Sequence, residues 1–178
     1  MPDFSPEHAL FIRQLALPIT KVEHATTKRV IEAIPFDKGD FRPDPVAKTA
    51  LELAWHIVAA EHRFLNGISA GAFDFTAINR PDSVNNSAAI AKWFDDSFAA
   101  SLAKIENLSS AGLAKIVDFR GMFQQPAVSY LSFASNHTIH HRGQLSMYLR
   151  PMGAKVPSIY GESYDTAQDR IAKEKEKK

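Results

Sequence analysis

Long segments of this chain repeat apolar residues every three or four positions, and this period restricts the fold more than any other feature of the sequence. The clearest segment follows a cap at Asn86 or Ser87 and reaches about Leu108. Its apolar positions keep helical spacing throughout: Ile90, Phe94, Phe98, Leu102 and Ile105. A helix of this kind must bury its apolar face against other elements, so the pattern favours a packed helical protein.

Three further segments have the pattern of helices, and proline and glycine mark their ends. The predicted ranges are Pro6–Ala33 after a cap at Ser5, Val46–Asn66 with Gly67 as its stop, and Pro126–Arg150. Pro18 should kink or interrupt the first of these helices. Together the four segments predict the all-α class and a four-helix bundle. We expect a single domain over residues 1–165 and a charged, solvated C-terminal tail over residues 166–178.

Two shorter stretches lie outside these helices. Residues 116–123 alternate weakly and contain a glycine, which leaves a short hairpin and an extended connector as alternatives. Residues 156–161 should be extended and packed, and a short helix can follow them in the tail.

The composition excludes several classes of function. The chain has 21 basic and 20 acidic residues, so it lacks the positive field of a nucleic-acid-binding protein. It has no cysteine, which excludes disulfides, thiolate metal sites and a cysteine nucleophile. No apolar stretch approaches the roughly 18 residues of a membrane span, and the first residues do not resemble a signal peptide. We therefore expect a cytoplasmic protein with no membrane or nucleic-acid partner.

The seven histidines are the most informative residues for function. His137 and His141 lie four positions apart in the fourth predicted helix, so both project from one face, and a single metal ion could reach both. Gln144 and Tyr148 share this face, whereas His140 lies about 60° away from it. A useful site needs a third ligand, and His56, at the edge of the apolar stripe of the second helix, is the best candidate. His62, His8 and His24 are the alternatives, and each of these histidines could instead be an ordinary packed or surface residue.

Two well-known metal motifs do not occur. The stretch from His137 to His141 lacks the glutamate of H-E-x-x-H, which disfavours a zincin protease. The chain also contains no Glu-x-x-His, which disfavours a ferritin-like di-iron site. Phosphate loops, dinucleotide fingerprints and nucleophile elbows are likewise missing from the sequence.

Residues 137–161, from His137 to Gly161, closely resemble the end of the DinB/YfiT-like family of metal-dependent proteins. Residues 49–57 resemble the helix that contributes the first metal histidine of that family, and Phe41-Arg42-Pro43 resembles the approach to it. The resemblance extends from about Phe36 to Gly161. It implies a four-helix bundle, commonly dimeric, and a metal site formed by His56, His137 and His141. A homodimer is therefore expected.

Three imidazoles with open coordination positions are typical of a catalytic rather than a structural metal site. The resemblance thus implies a divalent ion, zinc or nickel first and iron or manganese next, with metal-bound water or a thiol as the nucleophile. The predicted activity is that of a hydrolase or a thiol-dependent transferase or isomerase, acting on a small molecule with the help of a low-molecular-weight thiol. The alternatives are a metal-binding or stress-response protein without turnover and a structural bundle with an incidental histidine cluster.

Neighbouring polar residues should hold the three rings in place. Asn136, Gln144, Glu52 and Tyr148 are the candidates because they lie on or near the turns that carry the histidines. Arg142 lies about 140° from His137 around the helix, so it should pack against another element or a partner chain.

Overall fold

The computed structural model describes residues 4–177 and is mostly helical, which confirms the all-α class. Six α-helices and one two-stranded hairpin follow one another along this part of the chain. In chain order they are α1 (Pro6–Glu32), α2 (Ala50–Ala70), α3 (Ser87–Glu106), α4 (Ser110–Ala114), β1 (Ile116–Phe119), β2 (Phe123–Pro126), α5 (Tyr130–Leu149) and α6 (Tyr164–Glu176). Short 3-10 turns cover Phe36–Lys38 and Ala127–Ser129.

The four longest helices contact one another in a closed order. Helix α2 packs against α3 and α5, and α1 packs against the same two helices. The core between them is built from apolar residues that the helical period had marked, among them Ile57, Ile90 and Phe94. Within residues 4–177 no helix has the length and the apolarity that crossing a membrane requires.

The boundaries of α2 differ from the prediction at both ends. The helix begins at Ala50 because Thr49 forms a capping box: its hydroxyl accepts from the Glu52 amide at 3.2 Å, and Glu52 Oε2 accepts from the Thr49 amide at 2.7 Å. Gly67 as the stop is wrong, since the helix continues to Ala70 and ends at Gly71, whose φ of 65° is left-handed.

The structure also decides three other local predictions. Residues 116–123 form the hairpin alternative, with Ile116 paired to Pro126. The prediction that Pro126 opens the fourth helix is therefore wrong, because this residue ends β2 and a 3-10 turn separates it from α5. Of the two effects predicted for Pro18, an interruption of the first helix does not occur, since α1 runs through this residue.

The C-terminal segment forms a helix, as the sequence predicted for the tail. Ser163 caps α6 through a capping box with Thr166, and no residue of α6 is buried. Ion pairs Arg150–Asp165 and Lys155–Asp169 fasten this helix to the segment that follows α5. The residues before it, 156–161, have no regular secondary structure.

Candidate metal centre

Helices α2 and α5 carry three histidines that meet where the two helices pack together. His137 and His141 lie one turn apart on α5, and their ring centroids are 4.4 Å apart. His56 faces them from α2, three residues after Leu53 of the core. One coordinating nitrogen from each of the three lies within 4.8 Å of the others. The structure thus brings together the three residues that the sequence singled out, and we refer to them as the histidine triad.

The Nε2 atoms of the three rings face one another. His56 Nε2 lies 3.2 Å from Nε2 of His141 and 3.2 Å from Nε2 of His137. Zinc with bonds of about 2.0–2.1 Å to nitrogen at tetrahedral angles would hold its ligands about 3.3 Å apart. The spacing therefore fits a single small divalent ion shared by three imidazoles.

The protonation state of two of the rings also suits a metal ligand. Burial, reinforced by the nearby His141, lowers the pKa of His56 to about 4. Burial lowers the pKa of His137 to about 4 as well, again with a contribution from His141. Both rings are therefore neutral at pH 7, and a neutral imidazole is the form that binds a metal.

One of the predicted supporting residues holds a triad ring. Gln144 Oε1 lies 2.7 Å from Nδ1 of His141, so Nδ1 carries the proton and Nε2 keeps its lone pair for the site. Nδ1 of His137, in contrast, is buried with no hydrogen-bond partner in the described part of the chain.

The other three candidates have different surroundings. Glu52 caps α2 at Thr49, Tyr148 packs edge-on against Phe41, and Asn136 is exposed. Neither Glu52 nor Tyr148 has a hydrogen bond to the triad among the residues described.

The remaining histidines are not part of the triad, although the His140 ring lies 4.8 Å from that of His141. His62 is within 2.8 Å of the amide of Asn66, His8 completes the capping box of α1, and His140 is exposed. His24 is buried between α1, α2 and α3, with Nδ1 3.0 Å from Glu61 and Nε2 3.0 Å from Asp95.

Sequence reasoning missed a buried polar network that ties α5 to its neighbours. Thr138, next to His137, donates to Glu61 Oε2 at 3.2 Å, and Glu61 in turn contacts His24. No motif connects these residues, because they are 37 and 77 positions apart in the chain.

Arg142 packs against another element, as its direction on the helix predicted. It pairs with Glu23 of α1 at 2.5 Å and donates to the hydroxyl of Tyr160 at 2.7 Å. With 1% of its side chain exposed, it anchors α5 to α1 rather than facing the triad.

Open space adjoins each member of the triad. His56 lines a cavity of about 440 Å³ beside Trp55 and a second of about 220 Å³ that it shares with His137. His141 lines a third of about 430 Å³ with Tyr148. A small molecule could thus approach the triad from more than one side.

The protein is therefore all-α, and it carries a cluster of three histidines between two of its long helices. The sequence matches the DinB family over residues 15–177, and the chain belongs to that family. The matched range includes the whole triad and α6 up to its last residue.

Solved structures of DinB-like proteins have the same fold. A DinB-like protein from Bacillus cereus ATCC 10987 superposes with a TM-score of 0.70 at 25% identity, covering 82% of this chain and 95% of that one. YjoA of Bacillus subtilis, also DinB-like, gives a TM-score of 0.69 at 23% identity, covering 83% of this chain and 99% of that one.

Two proteins of Bacillus subtilis are related to this chain in sequence. The uncharacterized protein YjoA of Bacillus subtilis is 27% identical over 129 residues, which is 71% of this chain and 82% of YjoA. The uncharacterized protein YrdA of the same organism is 34% identical over 114 residues, which is 61% of this chain and 64% of YrdA.

Proposed function

We propose that His56, His137 and His141 bind one divalent metal ion and that the protein is a metal-dependent enzyme. The observation that carries this proposal is the convergence of three Nε2 atoms, with two separations of 3.2 Å and no carboxylate between them in the described structure. Neutral imidazole nitrogens at this spacing can act together as ligands of one cation. Imidazole suits zinc, nickel, copper and iron, and we propose zinc or nickel first and iron or manganese next.

When bound, such an ion acts as a Lewis acid and lowers the pKa of a coordinated water or thiol. The chain's own residues supply the rest of the site. The triad offers three ligands and leaves further positions open, Gln144 fixes the tautomer of His141, and the neighbouring cavities admit a small substrate. A hydrolase or a thiol-dependent transferase fits these features. Because the chain has no cysteine, any thiol in the reaction is a cosubstrate.

The first experiment measures metal content and metal affinity. Protein purified without an affinity tag should contain close to one metal ion per chain, and zinc titration of the chelator-treated protein should show one site. His56→Ala should abolish this site, and the matched variant His62→Ala, on the same helix, should keep it. Equal affinity in wild type and His56→Ala would refute the assignment.

The alternative is a metal-binding or stress-response protein without turnover, which would use the same triad. Assays of the metal-reconstituted protein on thiol-transfer, ester and amide substrates separate the two functions. Turnover that disappears in His56→Ala supports the enzyme, and metal binding without turnover on any substrate supports the alternative.

We also propose that the protein is a homodimer that pairs through α1. Phe11, Leu15, Ile19 and Val22 are spaced four, four and three residues apart, so they form one face of this helix. Each is more than half exposed, an arrangement typical of an interaction surface. Light scattering should give twice the chain mass for wild type and for Val46→Glu, an exposed control outside α1, and a single chain mass for Leu15→Glu.

A further inference from the structure

The cavities beside His56 are more positively charged than the protein as a whole. The walls of the two cavities contain four basic residues, Lys48, Arg63, Arg80 and Arg120, and one acidic residue, Glu52. The whole chain, in contrast, has nearly equal numbers of basic and acidic residues. Positive charge is therefore concentrated next to the triad.

These four basic side chains form no ion pair with a carboxylate within residues 4–177, whereas Lys21, Lys92 and Arg170 do so elsewhere. Arg63 is nevertheless held in place. Its Nε and Nη2 donate to the backbone carbonyls of Asp74 and Thr76 at 3.1 and 2.9 Å. These bonds fix the guanidinium while Nη1 has no acceptor in the described structure.

Arg120 supplies a second, independent observation. It occupies the hairpin turn with a φ of 56°, beside Gly121 at 68°, and asparagine or glycine is favoured over arginine in that conformation. Its guanidinium lies 4.2 Å from the centre of the Phe75 ring. Both residues line the cavity that His56 and His137 share. The strained turn thus places a cation beside the triad.

The nearest carboxylate does not neutralise Arg120. Asp118 Oδ2 instead accepts from the Gly121 amide at 2.8 Å, and Asp118 Oδ1 lies 3.4 Å from the Gln124 amide nitrogen. The guanidinium therefore keeps its N–H donors for a ligand, and a stacked guanidinium is well suited to an oxyanion.

The rest of this cavity is apolar. Phe64, Phe119 and Met122 line it together with Phe75. Such a wall favours the hydrocarbon part of a ligand, while the two arginines favour its charged end. The combination fits a small organic anion better than a neutral molecule or a free inorganic ion.

We propose that the substrate of the triad is a small organic anion whose carboxylate or phosphate group binds Arg63 and Arg120. Its apolar body packs on the phenylalanines of the same cavity. This inference rests on the metal site proposed above and adds the chemical class of its substrate. Arg63 follows His56 by seven residues, two turns of α2, or about 10 Å along the helix axis. A substrate of this length can hold its charged end at Arg63 while its reacting end reaches the triad.

The test is an NMR titration of the metal-free full-length protein with three probes of one shape: benzoate, phenyl phosphate and uncharged benzamide. We expect at least one of the two anions to bind about tenfold more tightly than benzamide and to shift the signals of Arg63 and Arg120. The anion that binds more tightly identifies the charged group. Equal affinities for benzamide and both anions, or no binding of either anion, would overturn the proposal.

Variants test the assigned residues. Arg120→Gln, in an exposed turn, should weaken binding of the preferred anion about three- to tenfold, and the matched charge change Lys173→Gln on α6 should leave it unchanged. Equal affinity in wild type and Arg120→Gln would contradict the proposal. Arg63→Gln, with its helical content checked by circular dichroism, should act in the same direction as Arg120→Gln.

His141→Ala separates this proposal from the metal site. It should lose zinc and keep the anion, because His141 lines neither of the two cavities beside His56 and both Arg63 and Arg120 remain. If zinc binds the wild type normally but the anions do not bind, only the substrate class is wrong. If the anions bind but zinc does not, the metal site itself is wrong.

Discussion

Two clusters that contain histidine adjoin α2, the partly buried triad and the buried site of His24, and their ring nitrogens meet different neighbours. In the triad, Nε2 of His56 faces two other ring nitrogens at 3.2 Å. In the second cluster, each ring nitrogen of His24 faces a carboxylate oxygen at 3.0 Å, from Glu61 on one side and Asp95 on the other. The His24 ring is also stacked on Phe98, with 3.8 Å between ring centroids.

This difference separates a structural histidine from a candidate ligand. A buried imidazole with an acceptor at each nitrogen satisfies its hydrogen bonds within the protein and helps to hold the helices together. Imidazoles whose ring nitrogens face one another are not held by a carboxylate, so those nitrogens remain available as ligands for a cation. Burial differs in the same direction, since His24 is buried whereas the three triad histidines are only partly buried.

The largest effect should come from removing a triad ligand. His137→Ala is expected to weaken zinc and nickel binding by more than about 100-fold, because the loss of a ligand costs more than the loss of a residue that supports one. Isothermal titration calorimetry measures this affinity. His140→Ala, an exposed histidine on the same helix, and His24→Ala should both keep one metal site. Loss of that site in His24→Ala but not in His137→Ala would reverse the comparison.

The second prediction concerns the stability of the metal-free protein. His24→Ala should lower the free energy of unfolding by about 2–4 kcal/mol, because it leaves the buried Glu61 carboxylate without its histidine partner. His56→Ala should change it by less than about 1 kcal/mol, since His56 is only partly buried and its removal leaves no buried carboxylate without a partner. Urea denaturation of chelator-treated protein measures both. Equal destabilisation by the two variants would show that the clusters have the same role.

A smaller effect is expected from the residue that orients His141. Gln144→Ala should weaken metal binding about tenfold, because the hydrogen bond that fixes the tautomer of His141 is removed. Asn136→Ala, an exposed residue on the same helix, is the matched control and should have wild-type affinity. If both variants bind metal like wild type, Gln144 does not support the site.

The last prediction concerns the pH dependence of the metal-free triad. The folded pKa of His56 and of His137 is about 4, below the ordinary 6.5 of an unfolded chain. The unfolded state therefore binds more protons between these values, and the triad's contribution to stability is complete above pH 6.5 and lost as the pH falls toward 4. NMR titration should place both midpoints near 4 in the metal-free protein. Midpoints near 6.5 would show that the rings are solvated.

Much of the fold could be predicted from local patterns. The apolar period of α3 and the Asn86 cap located that helix almost to the residue, because both signals act within one turn of chain. The prediction that the helix stops at Gly67 was wrong because glycine is tolerated inside a helix where packing requires it. A side chain at this position would collide with the Phe73 ring. The prediction for Pro126 was wrong because this residue pairs with Ile116 across a hairpin, ten positions away, which signals for the start of a helix do not report.

The candidate site was predictable to a similar extent. Spacing placed His137 and His141 on one face of α5, the position of His56 at the edge of an apolar stripe made it the best third candidate, and the family resemblance implied the same residue. Gln144 was recognisable because it lies three residues after His141, one turn along the helix. The role of His24 and the position of the Arg120 guanidinium could not be recognised from the sequence, since each depends on contacts with residues that are distant in the chain.

Local patterns and composition were enough to predict the helical class, two histidines on one helix face, and a ligand set limited to nitrogen and oxygen. That His56 faces this pair while His62, on the same helix, does not is a result of the tertiary packing. The physical reason is the range of the forces involved. Helical periodicity fixes angles within one helix, whereas the rotation of α2 against α5 results from the packing of every side chain between them.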